Sequence, residues 1–241
     1  YHYFYGFYFK GLLKKLKFAT LFREIFLSII KTKTLMPMLS FFYLLLPIEI
    51  KMRYMVKKST ISDYLLHSEK NSTDFFKEYY SCPDLKSALK FHLDYKLEHL
   101  LKWEDRNSMT HSREARVPFL DKRIIEFVSR LPEKYIINNG ETKSILRDAM
   151  RGIVPSSILD RNDKIGYQTP EDSWLAHPSI EKILKKSFLD SKPLCSNFVN
   201  IKKFKYLVEK FISTKKGDNR IIWRTLMLEL WLNKFNFSQS S

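Results

Sequence analysis

The sequence predicts a mainly α-helical fold. Leucines recur at a four-residue spacing at Leu85, Leu89, Leu93, Leu97 and Leu101, which is the spacing of one face of an amphipathic helix. The 241 residues include only six glycines, no two of them adjacent, which argues against a sandwich or barrel with many tight turns. Alternating apolar stretches are too few to predict a sheet of any size.

Residues 1–75 are predicted to form an aromatic, basic and helical segment. The uncharged run Thr34–Ile48 is its most apolar part. This run is shorter than the roughly 20 residues that a membrane span requires, and Pro37 and Pro47 interrupt it. We therefore expect a buried or interfacial helix there, with no membrane span. The polar tract Lys57–Thr73 is predicted to be a loop with room for one short helix.

Residues 76–190 carry the clearest helical signals and form the second predicted region. The leucine row predicts a helix of at least four turns from Leu85 onward. A second helix is expected after Asp121, with Pro132 as its stop. The tripeptide Asn138-Asn139-Gly140 predicts a turn, and Glu141–Met150 a further helix.

The remaining helix signals follow toward the C-terminus. Thr169 and Pro170 predict a helix start, with Thr169 as N-cap and Pro170 in the first helical position. Residues 191–241 form the third predicted region, with two amphipathic helices separated at Lys216–Asp218 and a frayed polar end.

Composition limits the function classes. The formal net charge of +16 invites a nucleic-acid interpretation, but the lysines are scattered among acidic residues without a basic stripe. Cys82 and Cys195 have no Cys or His neighbours at metal-ligand spacing, so we expect reduced thiols in a cytoplasmic protein and no metal site. The chain opens at Tyr1 without a secretion signal, and we expect it to be cut from a longer protein.

Two segments combine charge with structure-breaking residues. In residues 103–121, WEDRNSMTHSREARVPFLD, charged side chains crowd against the apolar run Val117–Leu120. These charges are either solvated on a helix surface or partly buried and paired. In residues 140–170, the cations Lys143, Arg147, Arg161 and Lys164 have few acids between them. They form either a site for a polyanion such as a triphosphate or an ordinary solvated basic face.

Three strings carry a family resemblance: EDRNSMTHSREARVPFLD, LPEKYIINNGETKSILRDAM and VPSSILDRNDKIGYQTPEDSWL. In order and spacing they resemble the C-terminal half of the glutamine-hydrolysing asparagine synthetase family. The resemblance is strongest over about residues 84–177. It implies that the chain is the helical C-terminal portion of an α/β ATP-pyrophosphatase (PP-loop, adenine nucleotide alpha hydrolase-like) synthetase domain.

The resemblance also implies a reaction. In that family, aspartate and ATP with magnesium form β-aspartyl-adenylate and pyrophosphate, and ammonia released from glutamine by a separate glutaminase domain then displaces AMP to give asparagine. Lys164 aligns with a family lysine at the reacting phosphate, and Lys143 with a second lysine near the triphosphate. We expect both to be catalytic, and we expect Arg147, Arg161, Glu114 and Arg116 to support substrate or phosphate.

The sequence also departs from the family pattern. It holds no Ser-Gly-Gly-x-Asp-Ser nucleotide loop, no second acidic loop and no glutaminase domain, so we expect the chain alone to be inactive. Other interpretations stay open. The chain could serve a related amidotransferase acting on another carboxylate, in a β-lactam, lasso-peptide or polysaccharide pathway. It could also be a non-catalytic basic helical module that binds RNA or an anionic membrane surface, or a truncated reading frame without function.

Overall fold

A computed structural model describes residues 2–58, 64, 71–162 and 170–235. These residues fall into two compact units, one of residues 2–52 with 72–162 and the other of residues 53–58, 64, 71 and 170–235. The chain is mainly helical, as predicted. None of the described helices is long and apolar enough to cross a membrane. The three-region division of the sequence rests on composition and stays a prediction.

The first unit is built around its N-terminal helices. They are α1 (His2–Lys14), α2 (Phe18–Thr32), α3 (Met36–Leu45) and α4 (Ile48–Lys58), of which residues 53–58 belong to the second unit. Helix α1 packs against α2, α3 and the later helix α6. Its aromatic residues Phe7 and Phe9 are fully buried and make edge-to-face contacts with Tyr79 and Phe41. The aromatic opening of the sequence therefore forms the core of this unit.

The predicted leucine helix is confirmed, with an interruption. After α5 (Asn71–Ser81), it runs as α6 (Leu85–Phe91), a wider π-helical turn (His92–Lys96) and α7 (Leu97–Met109). The side chain of Asp84 caps its start by accepting a hydrogen bond from the Ser87 N–H at 2.9 Å. Leu85 is buried in α6, but α7 buries no residue. Along the leucine row, only Leu85 is fully buried, Leu93 is exposed, and Leu89, Leu97 and Leu101 are half-buried.

The segment after α7 contains the helix expected at Asp121. A short 3-10 turn (Pro118–Leu120) leads into α8 (Lys122–Arg130). Asp121 caps α8 by accepting from the Arg123 N–H at 2.9 Å. The helix ends two residues before Pro132, as the prediction required. Helix α8 also buries no residue.

The predicted helix Glu141–Met150 is wrong over its first three residues. A 3-10 turn (Glu133–Tyr135) is followed by a hairpin of β1 (Ile137–Asn138) and β2 (Glu141–Thr142), and only then by α9 (Ser144–Ala149). Asn139 and Gly140 both have positive φ, 49° and 71°, as a tight two-residue hairpin turn requires. Residues 141 and 142 are paired in β2, so α9 begins only at Ser144. Helix α10 (Ser156–Leu159) closes the described part of this unit.

The second unit has its own core. Its helices are α11 (Glu171–Leu175), α12 (Pro178–Leu184) continued by a π-helical turn (Lys185–Leu189), a 3-10 turn (Leu194–Asn197), α13 (Ile201–Thr214) and α14 (Asn219–Lys234). Phe188 and Phe204 are fully buried and meet edge to face at 4.8 Å. The two predicted tail helices are confirmed, and Asn200 and Asp218 cap them.

The expected helix start at Thr169-Pro170 differs at Pro170. Pro170 lies in the N-cap position of α11 rather than inside the helix, with a non-helical ψ of 53°. Thr169, the predicted N-cap, lies outside the described residues, as does most of the predicted loop Lys57–Thr73.

Candidate functional site

The hairpin of β1 and β2 is attached to the N-terminal helices through a buried carboxylate. Glu24 of α2 is fully buried, and its two oxygens accept hydrogen bonds from the N–H groups of Asn139 at 3.1 Å and Gly140 at 2.9 Å. Arg23 donates to the same carboxylate at 3.0 Å. Bonds to a charged acceptor are stronger than neutral ones, so Glu24 fixes the hairpin turn on α2.

A second contact holds the same turn. The Tyr5 hydroxyl donates to the Gly140 carbonyl at 2.8 Å. Burial raises the pKa of Tyr5 to about 12, with the Arg147 cation acting in the opposite direction, so the phenol stays protonated and remains a donor. Gly140 is required here, since a Cβ at this position would lie 2.4 Å from the Leu27 carbonyl carbon. The turn and α2 are thus in direct backbone contact.

Lys143 lies between the hairpin and α9. Its φ of 58° is left-handed, so Lys143 precedes α9. The predicted helix Glu141–Met150 would have placed Lys143 and Arg147, four residues apart, on one helical face, and this does not hold. The Ser144 N–H donates to the Ile136 carbonyl at 3.2 Å, and the Lys143 carbonyl accepts from the Arg147 N–H at 3.1 Å. The backbone of Lys143 is therefore held on both sides, while its side chain is exposed.

The Arg147 guanidinium donates hydrogen bonds to three backbone carbonyls of the chain. Its Nε donates to the Thr142 carbonyl at 3.0 Å and its Nη2 to the Arg161 carbonyl at 2.8 Å, while Nη1 donates to the Leu159 carbonyl. A guanidinium presents its donors in a fixed planar fork. Arg147 therefore ties the hairpin to the segment after α10.

These bonds bring three of the four predicted cations into one bonded region. Lys143 and Arg161 join Arg147 through backbone carbonyls. Lys164 lies outside the described residues, two positions beyond Asn162, which is the last residue of the described range. Arg147 therefore holds the described backbone as far as Arg161.

Glu114 and Arg116 form an ion pair with 2.9 Å between Arg116 Nη2 and Glu114 Oε2. Their side chains are 69% and 84% exposed, so the alternative that these charges are partly buried is wrong for this chain. The adjacent apolar run is also open to solvent, with Phe119 67% exposed. Exposed pairs of this kind stabilise little. They lie beside a shallow groove lined by residues of α7 and of the Arg116–Leu120 segment.

The donor types of the described residues limit the cofactors that the chain could hold. Lysine and arginine suit phosphate oxygens, but within the described ranges no cluster of three or more His, Cys, Asp or Glu could hold a metal ion. Sequence reasoning missed Glu24 and Tyr5. The Asn139-Gly140 pair is a hairpin signal, whereas nothing in the local sequence marks Glu24 as its partner.

The described chain is a mainly helical protein with a cationic segment supported by a hairpin. It belongs to the asparagine synthase family, whose sequence model matches residues 44–233. Asparagine synthetase [glutamine-hydrolyzing] 1 of Bacillus subtilis (strain 168) is 30% identical over 184 residues, covering 73% of this chain and 28% of the relative. The probable asparagine synthetase [glutamine-hydrolyzing] of Acanthamoeba polyphaga mimivirus is 29% identical over 143 residues, covering 56% and 25%.

A shorter stretch is more similar still. Asparagine synthetase [glutamine-hydrolyzing] 3 of Bacillus subtilis (strain 168) is 43% identical over 65 residues, covering 27% of this chain and 11% of the relative. The chain thus spans under a third of the length of each of these relatives. No solved structure is a significant match.

Proposed function

We propose that this chain is the helical C-terminal portion of an α/β ATP-pyrophosphatase-type synthetase domain in a glutamine-hydrolysing, ATP-dependent asparagine synthetase. The family match over residues 44–233 carries this proposal. The proposed reaction joins aspartate to AMP with release of pyrophosphate, after which ammonia from glutamine displaces AMP. The proposed partners are the glutaminase and nucleotide-binding parts of the enzyme, and the proposed location is the cytoplasm.

In this proposal Lys164 and Lys143 act on the phosphates. When the aspartate carboxylate attacks the α-phosphorus, negative charge grows on the phosphoryl oxygens and on the departing pyrophosphate. A fixed cation stabilises that state more than the ground state, and loss of one such group costs on the order of a hundredfold in rate. Lys143 suits this role because its backbone is held on both sides while its side chain is exposed.

Arg147 and Arg161 have a supporting role in the proposal. The Arg147 guanidinium is occupied by backbone carbonyls, including that of Arg161, so Arg147 positions the segment leading to Lys164 instead of binding phosphate. Glu114 and Arg116, whose charged groups are both open to solvent, are proposed to support substrate or phosphate in the assembled enzyme. Magnesium would accompany ATP, but the described residues offer no acidic cluster for it, and we assign its ligands to other parts of the enzyme.

A graft tests the assignment. The chain replaces its aligned region in the Bacillus subtilis asparagine synthetase 1 relative, and pyrophosphate release is measured with ATP, aspartate and ammonia. We expect Lys164→Ala to lower the rate on the order of a hundredfold, and Lys143→Ala to do so to a lesser extent. Lys122→Ala, which removes an exposed lysine of α8, is the control. A graft that folds but stays inactive, or a Lys164→Ala graft as fast as the parent, contradicts the proposal.

The chain by itself is proposed to be inactive, since its sequence holds no Gly-Gly phosphate loop. Incubation with ATP, aspartate, ammonia and magnesium should release no pyrophosphate above the blank, and a clear signal would refute this. The same graft tests the carboxylate. If pyrophosphate release requires an acid other than aspartate, the related-amidotransferase alternative is favoured.

A further inference from the structure

Helix α2 is oriented with apolar side chains toward solvent. Its exposed large apolar residues are spaced four apart along the whole helix: Phe18, Phe22, Phe26 and Ile30. Its buried residues include the polar Glu24 and Ser28. A surface helix of a globular protein normally has the reverse arrangement. The exposed row extends over about 18 Å at the helical rise of 1.5 Å per residue.

The orientation of α2 is fixed by polar contacts. Glu24 accepts from the Asn139 and Gly140 N–H groups, and the backbone at Leu27 lies against Gly140. Turning the phenylalanine row inward would carry the Glu24 carboxylate away from both donors and leave them unsatisfied, which is costly. The apolar row is therefore a stable feature of the surface.

Helix α3 also carries exposed apolar side chains. Helices α2 and α3 pack against each other, and α3 exposes Leu39, Phe42 and Leu45. The run from Thr34 to Ile48 contains no charged residue. Exposed large apolar side chains on two neighbouring helices are a candidate interaction surface. We call the exposed apolar residues of α2 and α3 the α2–α3 patch.

The charge around the α2–α3 patch identifies the kind of partner. Residues 1–48 contain seven lysines and arginines and a single acidic residue, Glu24. Three of the seven cations are ion-paired, Lys15 with Glu133, Arg23 with Glu24 and Lys31 with Glu141. Lys14, Lys17 and Lys33 flank α2, are exposed and have no ion-pair partner within the part of the chain that the structure describes. Aromatic residues bordered by lysines are the pattern of helices that lie in the surface of an anionic bilayer.

The family match supports a partner outside the shared synthetase core. It starts at residue 44, so α2 and all but the last two residues of α3 precede it. We propose that the α2–α3 patch binds the surface of a membrane containing anionic lipids, with the phenylalanine row in the headgroup region and the flanking lysines on lipid phosphates. This proposal does not depend on the ligase activity.

Vesicle sedimentation of the full 241-residue chain tests the proposal. The probes are vesicles of phosphatidylcholine alone and vesicles of phosphatidylcholine with phosphatidylglycerol in a three-to-one mixture. We expect sedimentation with the anionic vesicles and little with the neutral ones. Binding should weaken between physiological salt and 1 M, since the screening length falls from about 8 Å to about 3 Å.

Two pairs of variants separate the patch from general properties of the chain. The Phe22→Ser/Phe26→Ser variant removes two side chains that are 69% and 65% exposed, and should lower the partition coefficient about tenfold or more. The control is Phe127→Ser, at a residue of α8 that is 57% exposed, and it should bind like the parent. Circular dichroism checks that each variant keeps its helix content.

Charge reversal provides the second comparison. Lys14→Glu/Lys17→Glu should lower binding to anionic vesicles about thirtyfold or more. Lys202→Glu/Lys210→Glu changes the net charge equally on α13 and should have a much smaller effect. Equal losses in the two variants, equal binding to neutral vesicles, or no binding would overturn the proposal. So would a dimer that the Phe22→Ser/Phe26→Ser variant converts to a monomer, because the patch would then bind a second copy.

Discussion

Replacing Gly140 with alanine tests the contact between the hairpin and α2. An added Cβ would lie 2.4 Å from the Leu27 carbonyl carbon and 2.5 Å from the Ser28 nitrogen. Both are backbone atoms of α2, so no flexible side chain is available to move aside. Gly140 also has a φ of 71°, a conformation that costs an alanine about 1 kcal/mol.

The expected loss of stability in Gly140→Ala follows from the short distance between the added Cβ and the α2 backbone. Reaching an ordinary carbon–carbon separation requires the turn to move by about 1 Å. Such a movement would stretch the Glu24 hydrogen bonds to Asn139 and Gly140, now 3.1 and 2.9 Å, beyond bonding distance. Each hydrogen bond to a charged group contributes roughly 1.5–3 kcal/mol. We therefore expect Gly140→Ala to lower the free energy of unfolding by about 4 kcal/mol or more.

Gly152 is a matched control. It also has a positive φ, 82°, but a Cβ there would meet nothing within 4 Å. Gly152→Ala should therefore lose only the conformational part, about 1 kcal/mol. Urea denaturation followed by circular dichroism compares the two variants, and hydrogen exchange of residues 136–144 localises the change. Equal losses to within about 0.5 kcal/mol would refute the inferred contact.

Three further changes have expected outcomes. Asp84→Ala removes the cap of α6 and should lower stability by about 1 kcal/mol in urea denaturation, whereas Asp84→Asn should cost much less; equal effects would contradict the capping role. Burial, and then the Glu229 carboxylate, raise the pKa of the Cys195 thiol to about 12. Native Cys195 should therefore resist iodoacetamide at pH 8, and stability should fall above about pH 9 as the unfolded thiol ionises first. Cys195→Ala should reduce this fall, and rapid native labelling would contradict the burial. Arg147→Lys cannot reproduce three bonds to carbonyls and should speed trypsin cleavage after Arg161, whose carbonyl Arg147 holds, whereas an unchanged cleavage rate would show that the anchor is dispensable.

Local sequence signals predicted several of the helices from α6 onward. The leucine spacing from Leu85, the apolar pattern after Asp121 and the break at Lys216–Asp218 are short-range features, and each corresponds to an observed helix or helix start. The error at Glu141 has a local cause as well. Asn139-Gly140 favours a two-residue hairpin, and the helical pattern was extended through residues that the strand pairing uses.

Long-range contacts explain what the sequence could not predict. Glu24 is an ordinary charged residue in its local sequence, and its donors lie 115 and 116 residues further along the chain. Without those partners, the amphipathic pattern of α2 predicts that its phenylalanines face the core. The observed orientation is the opposite because an ionised carboxylate that is buried must be paired.

The same reasoning changes the interpretation of the cationic segment. Counting Lys143, Arg147, Arg161 and Lys164 as equivalent cations left two interpretations, a polyanion site and an ordinary solvated basic face. Arg147 is engaged with three backbone carbonyls, and Lys143 stands outside the helix that was expected to align it. A cation that fixes the backbone adds positive potential to the region but does not offer its donors to a phosphate. The catalytic proposal therefore depends on Lys143 and Lys164. Arg147 contributes by fixing the backbone before α9 and after α10. Substitution of Arg147 by lysine would abolish this role without changing the charge.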